Sequence, residues 1–144
     1  MANANSAFGL KPISKLGGNA NSTGNSGYTL YEIKNDNSNV IYQGSPVIPL
    51  STGFIDIVGA AAGGSVGLLG SFGGCEYVSS VTGKLTFSNY WPGSGADSNH
   101  PIKAIVHDDP MQLFAICTDA SITSKATARS HVFINAAFAS GTSG

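Results

Sequence analysis

The chain has 144 residues, enough for one domain whose core needs no staples. Seven Lys plus Arg against eight Asp plus Glu leave a net charge of −1, and only 10% of residues are charged where about a quarter is usual. The basic residues are scattered, which excludes a nucleic-acid footprint, and no apolar run reaches the length of a transmembrane helix.

Polarity comes instead from Asn, Ser, Thr and Gly. Such a surface suits coverage by a partner, or the neutral polar face of a β-protein. No charged region followed by an apolar run opens the chain, so no secretory signal is expected. Cys75 and Cys117 each sit in an apolar alternating stretch. They are expected to be buried thiols of a protein made in a reducing cytosol, with a disulfide between neighbouring strands as the alternative.

Met1 to Gly27 has the composition of an extended N-terminal arm. It lacks the apolar surface to offset its own ordering entropy, so its own body or another chain must hold it. The apolar island Phe8-Gly9-Leu10-Lys11-Pro12-Ile13 is either the anchor of that arm or an edge strand on the protein's own sheet. Tyr28 to Ile33 alternates and predicts a strand. Asn35 to Asn39 is turn chemistry. Val40 to Tyr42 resumes a strand, which Gly44-Ser45-Pro46 breaks. Val47 to Leu50 is short and extended, and its prolines argue for an edge. Phe54 to Val58 is another strand. The glycine-rich Gly59 to Gly74 lacks Gly-Lys-Ser/Thr and a following helix, so it is no phosphate loop. Its expected role is close backbone approach and positive-φ turns.

Gly73 to Pro92 reads as strand, turn, strand. Cys75, Tyr77 and Ser79 share one face, Glu76 and Val78 the other, and Val81-Thr82-Gly83 turns the chain. Leu85, Phe87 and Trp91 then share a parity, and Pro92 ends the second strand. Gly93 to Asn99 is a polar loop. Ile102, Ala104 and Val106 mark one face of a further strand, and His107-Asp108-Asp109-Pro110 is a turn. Leu113 to Cys117 is apolar on both parities, which predicts a central strand covered on both faces. Thr118 to Ser130 is polar, with one helical turn around Lys125 to Arg129. His131 to Phe138 is the last apolar segment. Seven to nine short strands with frequent turns predict an all-β fold, a small β-sandwich or barrel with an extended N-terminal arm. The expected division is arm 1–27, body 28–138 and flexible tail 139–144.

Tests for chemistry find no constellation. His107 with Asp108 and Asp109 has donors that suit zinc or manganese, but Asp-Asp-Pro after a strand is ordinary turn chemistry. No Gly-x-Ser-x-Gly opens a helix. Glu32 and Glu76, the only glutamates, sit in alternating strands where they point to solvent. The expectation is therefore no catalytic residue, no metal and no cofactor. Tyr90 and Trp91, beside a Gly/Asn loop, either stack on a sugar ring or place a core Trp at a strand end, and the core role is favoured.

Several ordered motifs point further. They are Ala-Asn-Ala-Asn-Ser-Ala-Phe-Gly-Leu-Lys-Pro-Ile at Ala2 to Ile13, Gly-Cys-Glu-Tyr-Val at Gly74 to Val78, Leu-Thr-Phe-Ser-Asn-Tyr-Trp-Pro at Leu85 to Pro92, and Ile-Lys-Ala-Ile-Val-His-Asp-Asp-Pro at Ile102 to Pro110. Their order resembles the capsid cement, or decoration, proteins of tailed bacteriophages, those of cyanophages especially.

The resemblance implies a non-enzymatic virion protein, made in the host cytoplasm and sited on the outer capsid surface. Its partner would be the phage major capsid protein of an HK97-type shell, with neighbouring capsomers clamped. It would also bind itself, as a homotrimer or else a dimer, and would bind no nucleic acid or membrane. The expected capsid or oligomer interface is Phe8, Leu10, Pro12 and Ile13 with Tyr90 and Trp91. The resemblance also implies more strand-like sequence after Ser140, whereas this sequence stops at Gly144. A clamp that binds only the assembled shell stabilises it by mass action, and several modest contacts gain from effective concentration. The alternative function is a carbohydrate-binding or adhesive surface module.

Overall fold

The computed structural model describes residues 8–16, 27–59, 67–117 and 122–135. Most of the expected arm, over 1–7 and 17–26, lies outside the described residues, as do the expected tail over 139–144 and residues 60–66 of the glycine-rich stretch.

The strands are β1 (Lys11–Lys15), β2 (Tyr28–Ile33), β3 (Pro46–Pro49), β4 (Ile55–Ile57), β5 (Gly70–Val78), β6 (Leu85–Ser88), β7 (Ile102–His107) and β8 (Gln112–Ala115), followed by helix α1 (Lys125–Ser130). The protein is all-β, and its body is a closed barrel. Strands run β3-β4-β2-β7-β5, and β5 returns to β3 through Pro46 opposite Ser71 and Val47 opposite Gly70. Only β2 and β4 run parallel, at the single pair Ile33 and Ile55. Strand β6 lies outside the ring, paired among the described residues with β5 alone, and β1 pairs with β8 in a separate two-stranded sheet.

Alternation fills the interior, as a small barrel requires. Ile33 comes from β2, Val47 from β3, Ile55 from β4, and Ile102, Ala104 and Val106 from β7; all are at most 1% exposed. In β5 the inward residues Phe72 and Cys75 are three apart, an odd step that ordinary pleating forbids. A bulge between Phe72 and Gly74, opposite β7, restores the parity. Gly74 there has φ +140°, and a Cβ on it would lie 2.9 Å from the Ser88 carbonyl oxygen.

Four expectations need correction. Strand β3 is not an edge, because it pairs on both sides and closes the ring. Its prolines are tolerated because they occupy its first and last positions. Val40 to Tyr42 reduces to one bridge, Ile41 opposite Trp91. The second hairpin strand ends at Ser88 rather than at Pro92. Ser88 Oγ donates to the Tyr90 carbonyl (2.6 Å) and accepts from the Tyr90 N–H (3.2 Å), which turns the chain. Trp91 therefore leaves the parity of Leu85 and Phe87, which stay exposed, and enters the core. Finally, β8 is not central: its only partner among the described residues is β1, and Leu113 and Ile116 remain exposed. Apolar residues on both parities signal two covered faces only where a layer exists on each side.

Trp91 closes one end of the barrel. It is fully buried, packs edge-on against Tyr77 at 5.5 Å, and donates from Nε1 to the Asn37 carbonyl (3.2 Å). Replacing it leaves a large cavity and an unpaired carbonyl. Trp91→Ala is expected to lower the unfolding free energy by about 3–5 kcal/mol. Tyr90→Ala next to it, half-exposed, should cost less than about 1 kcal/mol. Urea titrations followed by circular dichroism compare the two.

Candidate functional site

Most of the groups that composition offered for catalysis are engaged in hydrogen bonds or ion pairs. Asp108 accepts from Thr29 Oγ1 (3.0 Å) and from the Tyr31 hydroxyl (2.7 Å), and the latter bond raises the Tyr31 pKa. Asp109 pairs with Lys15 and accepts from the Met111 N–H (2.8 Å), which holds its carboxyl below the usual carboxylate range. Glu76 pairs with Lys103 across β5 and β7 (3.2 Å), and His100 with Asp97 (3.1 Å). Among the described residues no three His, Cys, Asp or Glu side chains are grouped to hold a metal. Cys75 is a buried thiol pushed up to about 11 by desolvation, with its Sγ donating to the Tyr90 carbonyl (3.5 Å). A thiol so protonated is a poor nucleophile. Cys117 is half-buried.

The six expected interface residues do not form one surface. Phe8, Leu10 and Pro12 line a groove of about 410 Å³ together with Gly44, Ser71 and His107. Leu10 itself is buried against the barrel. Its N–H donates to the Gly44 carbonyl (2.7 Å), and Ser71 Oγ donates to its carbonyl (2.8 Å). Gly9 makes this docking possible, since a Cβ there would fall 2.3 Å from the Gly44 carbonyl oxygen. Beyond it, β1 pairs with β8, and Gln112 Nε2 donates to the Ser14 carbonyl (2.8 Å). Residues 8–16 thus lie along their own body, while Phe8 and Ile13 stay exposed. Tyr90 and Trp91 are not part of the groove. Trp91 offers no surface to a partner, and Tyr90 stacks on Tyr42 at 6.0 Å with both rings half in solvent.

Two features escape the sequence reading. The first is the hairpin edge, where Val81, Leu85 and Phe87 are 88%, 57% and 72% exposed. Parity grouped Leu85 and Phe87 with Trp91 and so predicted one shared face. The second is the segment 122–135, in which every residue is exposed and α1 buries none. Its helix is capped by Ser124, whose Oγ accepts from the Thr127 N–H (3.1 Å), and Arg129 lies in its last turn. A helix of six residues is marginal without packing. Phe133 has a left-handed backbone (φ 65°) and a wholly exposed ring. Such a conformation in a bulky residue costs on the order of 1–3 kcal/mol. By sequence His131 to Phe138 is only a last apolar segment, of which residues 136–138 lie outside the described residues.

No family model matches the chain, and no curated protein or solved structure matches it.

His107 closes β7 beside the groove. Its ring meets Tyr28 edge-on at 6.5 Å, and its Nδ1 is buried with no hydrogen-bond partner. Burial pushes its pKa down from the ordinary 6.5, and the Asp108 charge only partly opposes this. With the folded value below the unfolded one, the unfolded chain takes up the proton first. Stability is then full above about pH 6.5 and falls as the pH drops toward the folded value. Melting temperatures between pH 8 and pH 5 should show this loss, and His107→Gln should flatten it.

Proposed function

We propose that the protein is a structural virion protein that binds the outside of a tailed-phage capsid as cement and ties neighbouring capsomers together. The observation that carries this reading is the outer strand β6. Among the described residues it pairs on one side only, and it presents Leu85 and Phe87 to solvent. An open strand edge with apolar side chains offers both backbone hydrogen bonds and apolar area to a partner, which is how strand addition recognises a neighbour. The low charge favours such coverage, because few charges would have to be desolvated. The motif order of Leu85 to Pro92 and its neighbours adds the phage resemblance. In this reading the partner is the major capsid protein, the protein also binds itself as a homotrimer, and its place is the outer shell of the virion.

The test uses the purified full chain and expanded, empty shells of the phage that encodes it. Wild type should bind the shells and raise their melting temperature. Phe87→Ser should keep the barrel fold and lose most of the binding, since Phe87 contributes nothing to the core. Wild type that leaves the shells unbound and their melting unchanged overturns the proposal.

The stacked pair Tyr42 and Tyr90 favours a second reading, a carbohydrate-binding surface module, because exposed aromatic faces pack on sugar rings. That reading expects a glycan ligand whose affinity falls about tenfold or more on Tyr90→Ala with stability nearly unchanged. A glycan array without any ligand removes it.

A further inference from the structure

We propose that residues 122–135 are an exchange arm, which docks into the groove beside Glu32 on a second copy of this chain and thereby builds the oligomer. The inference goes beyond the cement reading and does not rest on it.

The arm has what an interface needs, and none of its residues is buried among the described residues. Val132 and Ile134 are 53% and 58% exposed, and Phe133 between them stands fully in water on a strained backbone. The arm's charges are all basic. Lys125 and Arg129 lie in it and no acid does, so it carries +2. The rest of the chain keeps five of the seven basic residues against all eight acidic ones, a balance of −3. Arm and body are therefore of opposite sign, and two copies attract arm to body.

The body offers one groove of matching character. It has a volume of about 510 Å³ between the end of β2 and the loop before β7. Phe54 and Pro101 give this mostly polar groove its apolar surface, while Ile33 beneath it belongs to the barrel core. Lys34 at its rim is matched by Asp36 (2.8 Å), and His100 by Asp97. Glu32 is the carboxylate left over, exposed and without an ion pair among the described residues. Arg129 and Phe133 are four residues apart in the arm. Phe133 fits the apolar surface while Arg129 reaches Glu32, as a bidentate pair or a single contact. Every arm residue is exposed in its own chain, so its apolar side chains are open to a second copy. Reciprocal exchange gives a dimer, and head-to-tail exchange closes a ring such as a trimer.

The test is sedimentation velocity on the full chain across a range of concentrations, without shells. Wild type should self-associate into a dimer or a small ring. Phe133→Asp, Arg129→Glu and Glu32→Arg should each raise the dissociation constant about tenfold or more. The double variant Arg129→Glu with Glu32→Arg should recover most of the loss, which a merely damaged fold would not. Trp91 fluorescence and circular dichroism check that each variant keeps the barrel. A monomer at every concentration overturns the proposal. So does an oligomer that ignores all three substitutions, or an arm that is buried only when capsid protein is added.

Discussion

The structure depends on how its ring closes. Only two residue pairs join β3 to β5, Pro46 with Ser71 and Val47 with Gly70. Without them the five strands would be an open sheet with two edges and a half-covered apolar face. Closure works because the chain is thin at the seam. A Cβ on Gly70 would lie 2.2 Å from the His107 carbonyl oxygen, so β5 can approach β7 and β3 at once only with glycine there. Backbone bonds flank the seam, from the Leu69 N–H to the Val47 carbonyl (2.9 Å) and from the Phe72 N–H to the Ser45 carbonyl (2.9 Å). The prolines that bound β3 keep it short enough to fit the gap.

A polar device stands at one end of the ring. Asp56 is nearly buried, and three donors satisfy it: Asn37 Nδ2 (3.1 Å), Asn39 Nδ2 (2.9 Å) and the Ile57 N–H (2.7 Å). A carboxylate without them would be costly to bury. These bonds pin the loop after β2, whose Asn37 carbonyl accepts from Trp91 Nε1. The loop therefore fixes the largest core side chain, and Trp91 through its bridge fixes Ile41. Core and loop are one cooperative unit. Tyr42 and Tyr90, the neighbours of those two residues, are held in a stack on the outside as a consequence.

With the barrel self-sufficient, the remaining apolar residues have no structural duty inside it. The β6 edge, the outer face of β1 and β8, and the segment 122–135 all leave apolar side chains in water. A surface with few charges does little to offset them. The described residues thus form a barrel core with several outward apolar surfaces, the kind of surface that interaction sites use. The two proposals divide these surfaces, with the β6 edge toward the shell and the arm toward another copy.

The amino-acid sequence by itself determined the strands. The alternation of Tyr28 to Ile33 and Ile102 to Val106, the turn at Asn35 to Asn39 and the helical turn around Lys125 are local, short-range signals, and each stands where its pattern put it. The inward face of β7 and the shared face of Cys75 and Tyr77 followed from a period of two. What needed the tertiary structure was every question of partners. A proline-bounded strand looks like an edge until the ring closes on both its sides. Leu113 to Cys117 looks central because an apolar pattern records what a residue tolerates, not whether a layer covers it. Of the candidate interface, Phe8, Ile13 and Tyr90 were legible as surface groups. Leu10 was not legible as core, because Gly44, which receives it, is 34 residues away. For Trp91 the core role was the favoured one, but its partner Asn37, 54 residues away, was not legible. Such distant pairings leave no periodicity to read, and neither do the exposed apolar residues of 122–135.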